Sequence, residues 1–106
     1  MAIEQNTGAR SAASDPDVAA ATAGDQNAWD RLVERHAQRV WSTARTFGLN
    51  VVAAADVCHL TWMRLLDHVD ELSTDEQLRE WLCSSAEREA RGVLYRQRSS
   101  LARATH

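Results

Sequence analysis

The stretch "DVCHLTWMRLLDHV", residues 56 to 69, carries more apolar residues than one buried face can hold. Helical spacing puts Cys58, Trp62, Leu65 and Val69 on one seam, with Leu66 beside it. Leu60, Met63 and Val57 are then turned partly away. Around them lie Asp56, His59, Arg64 and Asp67. A helix of this kind needs a core on one side and either a core edge or a partner on the other. The pattern alone leaves those two readings even, because single exposed apolar residues are common.

The neighbouring segments supply the core. "SDPDVAAATAGD" predicts a short helix, with Asp15 as N-cap, Pro16 at the first helical position and Gly24 as the stop. "DQNAWDRLVERHAQRVWSTARTFGLN" predicts a long one. Its apolar stripe is Trp29, Leu32, Val33, Val40, Trp41, Ala44 and Phe47, and His36 lies on it as a satisfied core histidine. Gly48 terminates that helix, and Asn50 caps the next, which runs to about Val69. "DELSTDEQ" is a polar connection. In it Thr74 and Gln77 make a capping box, and Asp75 and Glu76 favour the positive end of the following helix. That last helix buries Leu78, Trp81, Leu82, Ser85, Ala86, Ala90, Val93 and Leu94. Gly92 within it costs about 1 kcal/mol relative to Ala. The helix is expected to fray after Arg98.

Nothing reads as a strand, so the fold class is all-α: a compact three-helix core plus a short N-terminal helix. Residues 1–14 lack periodicity and read as disordered. Residues 15–98 form one domain, and 99–106 a tail or the start of a linker. The 106 residues suit a single small core.

Other classes fall away. No apolar run is long enough to span a membrane. The N-terminus has no charged start followed by an apolar block, so it is not a secretory signal. Cys58 and Cys83 form no CxxC pair and read as reduced thiols of a cytoplasmic protein. The histidines and cysteines show no metal-ligand spacing, and no cofactor is implied. No Ser-His-Asp arrangement or Gly-rich phosphate loop is present, so no enzyme is expected.

Charge is unevenly placed. The net charge is −3, which argues against broad adhesion to nucleic acid. Between Asp67 and Glu80 stand six acidic residues and one arginine, whereas from Ala90 onward there are four arginines and no acid. The chain has no lysine. Every cation is therefore a planar fork that suits phosphate. The same arginines also suit the negative end of a helix dipole.

Several motifs, in order, resemble region 2 of the extracytoplasmic-function (ECF) sigma factors of bacterial RNA polymerase. They are Gly24-Asp25, Trp29 and Leu32; then Asp56-Val57, His59-Leu60, Trp62 and Met63-Arg64-Leu65; then Trp81-Leu82 followed by small residues to Ala86. "TWMRLLDHVDEL" and "WLCSSAERE" resemble an actinobacterial branch. The likeness covers roughly residues 15 to 98.

The resemblance implies a function. The second long helix would dock on the β′ clamp helices of the polymerase core through Asp56, His59, Leu60, Met63 and Arg64. The loop from Asp70 to Gln77, with Ser73 and Thr74, would capture a flipped base of the non-template strand at the −10 promoter element. Arg88, Arg91, Arg96 and Arg98 would follow the strand's phosphates, and Tyr95 would stack on a base.

The sequence also departs from the family. The family's Gln-Glu pair is His59-Leu60 here, Glu87 stands where many members have Arg, and the loop carries no aromatic. "RSSLARATH" would suit the start of a linker to a second, helix-turn-helix domain. The alternative is a sigma-like interaction module that has lost promoter recognition and binds polymerase or an anti-sigma factor.

Overall fold

The computed structural model describes residues 14–104. The segment expected to be disordered lies outside these, apart from Ser14. Four helices follow in order: α1 (Pro16–Thr22), α2 (Gln26–Thr46), α3 (Val51–His68) and α4 (Asp75–Ala104). A single 3-10 turn, Val69–Glu71, links α3 to the loop before α4.

Each helix starts where a side chain satisfies its free N–H groups. The Asp15 carboxylate accepts from the N–H of Asp17 at 2.9 Å and of Val18 at 3.2 Å. Asp25 does the same for Asn27 and Ala28. The Asn50 side chain accepts from Ala53 N–H at 2.8 Å. The capping box of α4 forms as read. Gln77 N–H donates to Thr74 Oγ1 at 3.0 Å, and Gln77 Oε1 accepts from Thr74 N–H at 3.3 Å. Gly24 and Gly48, both at positive φ, end α1 and α2.

Two expectations change. The helix α4 does not fray after Arg98 but continues to Ala104. After Gly92 no glycine or proline interrupts it, and Leu101, Ala102 and Arg103 are strong helix formers. The second change is the register of α3. Its core seam is Ala54, Val57, Thr61 and Leu65, all fully buried. Val57, expected at the edge, is in the core. Leu66, expected in the core, is 53% exposed. Cys58 and Trp62 are only half-buried. Thr61 packs as an apolar residue because its hydroxyl donates to Val57 C=O at 2.8 Å, which satisfies it within the helix.

The other stripes fall as read. Leu32, His36, Val40 and Ala44 of α2 and Leu78, Leu82, Ser85, Ala86 and Ala90 of α4 close on the α3 seam. Trp29, Trp41, Phe47, Trp62 and Trp81 ring this core, half-buried. Each fully buried leucine stabilises the fold by about 1.5–3 kcal/mol over an exposed one. Among the described residues no buried side-chain polar atom lacks a partner.

Candidate functional site

The outward side of α3 carries exposed apolar side chains among polar ones. Val52, His59, Met63 and Leu66 recur at spacings of 7, 4 and 3, one line along the helix directly opposite the buried seam. Val52 is 72% exposed and Met63 49%. Leu60 and Asp56 flank this line, both exposed. Arg64 is exposed too, but its Nε lies 2.7 Å from a Glu89 carboxylate oxygen on α4, so its charge is tied back to the bundle. Sequence reading missed Val52 and Leu66. The signal was helical periodicity with Met63, three residues from Leu66 and eleven, about three turns, from Val52, hidden once Leu66 was assigned to the core.

The arginines of α4 divide into two sets. Arg88, Arg91, Tyr95 and Arg98 are spaced 3, 4 and 3 and share one exposed line. The Arg91 guanidinium lies over the Phe47 ring, 5.4 Å from its centroid. Arg96 leaves this line. Its guanidinium folds back along the helix beside Gly92, 3.4 Å from where a Cβ would sit. Glu87 is half-buried.

Ser73 and Thr74 sit in a loop whose backbone groups are largely committed. Ser73 N–H and Thr74 N–H both donate to Gln77 Oε1. Ser73 C=O accepts from Asp15 N–H at 2.8 Å, which ties the loop to the start of α1. The Thr74 hydroxyl oxygen caps α4. What the loop can still offer a ligand is mainly side chain: the hydroxyls of Ser73 and Thr74 and the carboxylate of Asp70.

Behind this loop lies a charge network. Asp75 Oδ1 is 2.8 Å from His36 Nε2 and 2.7 Å from Arg35 Nη1. Arg35 also reaches Asp17 at 2.5 Å and Asp15 at 3.5 Å, and Arg31 pairs with Asp17 at 2.9 Å. The network joins α1, α2 and the first turn of α4. The hydrogen bond from Arg31 holds the Asp17 carboxyl below its usual range, with Arg35 adding to it. For Asp75, burial opposes the charge, but hydrogen bonds from Arg35 and His36 outweigh it and the pKa is lowered. His36 is thus the satisfied core histidine expected. Both cysteines are free thiols, and burial pushes that of Cys58 up.

Two shallow clefts flank α1. One, of about 270 Å³, is lined by Ser14, Ala19, Thr22, Asp70, Leu72 and Ser73. The other, of about 380 Å³, lies between the α1–α2 turn and Leu66, with Trp29 in its wall. Among the described residues no group of three or more His, Cys, Asp or Glu could hold a metal ion. No helix among them is long and apolar enough to cross a membrane.

The model of the family Sigma-70 region 2 matches residues 32–100, close to two thirds of the chain. The chain belongs to that family. No curated protein and no solved structure matches it. Region 2 of sigma factors is a non-enzymatic domain of transcription initiation, working with the polymerase core and promoter DNA. The matched span takes in most of α2, all of α3, the loop and α4 to Ser100. α1 lies before it.

Proposed function

We propose that this domain is region 2 of an ECF-type sigma factor acting in the cytoplasm. The outward line of α3 docks on the β′ clamp helices of RNA polymerase. The loop around Ser73 and Thr74 takes a flipped base from the non-template strand of the −10 element. The Arg88–Arg98 line follows that strand's phosphates, and Tyr95, 72% exposed, stacks on a base. Asp56, His59, Leu60, Met63 and Arg64 belong to the polymerase surface.

The observation that carries this reading is the exposed apolar line on α3, set opposite the core of a domain in this family. It has no role inside the bundle, and its apolar centre with charged flanks is the make-up of a protein interface. Specificity comes from His59-Leu60. A docking face that loses a carboxylate there takes a more apolar partner surface, or tolerates an acidic one.

Titration against an isolated clamp-helix fragment tests it. Micromolar or tighter binding is expected, and Leu60→Glu should weaken it about 30-fold or more, as at a central apolar anchor. The variant should fold normally, because Leu60 is 41% exposed. Absence of binding by the parent chain would sink the polymerase reading. It would favour the alternative, a sigma-like interaction module that kept the fold, lost promoter recognition and binds an anti-sigma partner. Glu87 on the DNA-facing helix and the net charge of −3 are the features that alternative rests on.

A further inference from the structure

We infer that α1 forms one wall of the base pocket, and that Thr22 and Asp70 make this pocket select a base bearing an exocyclic amine. The inference rests on the sigma reading above and deepens it. α1 lies outside the span matched to the family, yet it stands against the loop on both sides of the cleft. Asp15 N–H holds Ser73 C=O at 2.8 Å at one end, and the Thr22 hydroxyl approaches Val69 C=O at 3.4 Å at the other. The Arg35 guanidinium bridges Asp17 of α1 to Asp75 at the loop's far end. Hydrogen bonds and ion pairs therefore join the two sides of the cleft.

At about 270 Å³ the cleft is smaller than a typical drug-sized pocket and suits one planar base. Leu72 and Ala19 give it apolar walls for the faces of a ring. Its polar character is lopsided. The Thr22 hydroxyl proton is already donated to Val18 C=O at 2.9 Å, so toward the cleft Oγ1 can only accept. The Asp70 carboxylate likewise only accepts. Ser14 and Ser73 hydroxyls can turn to either role. Two fixed acceptors favour a base whose edge presents an amino group, as carboxylates favour the cytosine amine. Cytosine, adenine and guanine each carry one. Thymine has two carbonyl oxygens around a single N–H, and these would face the carboxylate.

The test uses core polymerase loaded with the full chain. The probes are fluorescent single strands of the −10 element, each position varied through cytosine, adenine, guanine and thymine. At one position the amino-bearing bases should bind about tenfold better than thymine, the worth of one good edge contact. Asp70→Asn, which gains donors, and Thr22→Val, which loses the acceptor, should each reduce that ratio below about threefold at that position alone. Both residues are exposed, so both variants should fold and still bind core. Thr22→Ser should keep the discrimination. If the parent complex discriminates but neither variant alters the ratio, the pocket assignment fails and the sigma reading stands. If the parent binds no strand at all, both fail together.

Discussion

The outward face of α3 and the loop end of the bundle are built on opposite plans. On α3, Val52, Leu60, Met63 and Leu66 are exposed apolar side chains with no hydrogen bond to make and no contact the fold needs. At the loop, Ser73, Thr74, Gln77, Asp75, His36, Arg35 and Asp15 are polar and bonded to one another at nearly every turn. A surface that waits for a protein can be left bare, because water costs an isolated leucine little more than area. A surface that waits for a base has to be held in shape first, because hydrogen-bonded recognition fails when donors and acceptors move. Substitutions should therefore separate folding from binding on α3, whereas those that break the bonded network behind the loop should couple them.

The sharpest break is across α3 itself. Leu65→Ala should cost about 2–5 kcal/mol of stability, the range for emptying a core leucine site. Leu60→Ala, one turn away on the other side, should stay within about 0.5 kcal/mol of the parent. Urea denaturation of both variants measures the contrast. Equal losses would mean that Leu60 is part of the core and that the bare face is narrower than drawn.

That register was only half legible in the sequence. The helix ends were readable, because Asp15, Asn50 and the Thr74–Gln77 pair are local devices whose partners sit two to four residues away. The α2 and α4 stripes were readable because their core positions are mostly apolar. The seam of α3 was not, because Ala54 and Thr61 do not look like core residues. Counting only large apolar side chains shifted the seam by one position and hid Val52 and Leu66. The network behind the loop was out of reach of any local pattern, since His36 and Asp75 are 39 residues apart. The bonding of Ser73 to Asp15 was hidden for the same reason, and with it the tie between α1 and the loop.

A smaller effect is expected at the loop, and it depends on pH. Folding lowers the pKa of both Asp17 and Asp75. The folded state thus holds fewer protons than the unfolded one just below the ordinary carboxylate value of 3.8. The stability from these groups is fully present above that value and is lost as pH falls through the lowered pKa values. Thermal melts should drop steeply below about pH 4. Arg35→Gln should lower the melting temperature by about 4 °C at neutral pH, a modest loss because the guanidinium is partly exposed. It should also flatten the acid limb, since Arg35 supports both carboxylates. An acid limb as steep as the parent's would show that the network does not govern the loop.

The smallest effect is expected in α4. Gly92 lies inside α4 with helical backbone, where glycine costs about 0.5–1 kcal/mol relative to alanine. Its only close neighbour in space is the Arg96 guanidinium, 3.4 Å from an added Cβ, an ordinary contact with the free end of a flexible side chain. Gly92→Ala should therefore stabilise the domain by up to about 1 kcal/mol. Arg96 should keep its folded-back position, because a contact at 3.4 Å requires no displacement. Affinity for the −10 strand and for the clamp-helix fragment should then match the parent's. A change in either affinity in this stabilised variant would show that Arg96 does move and that it lies on the surface whose affinity changed.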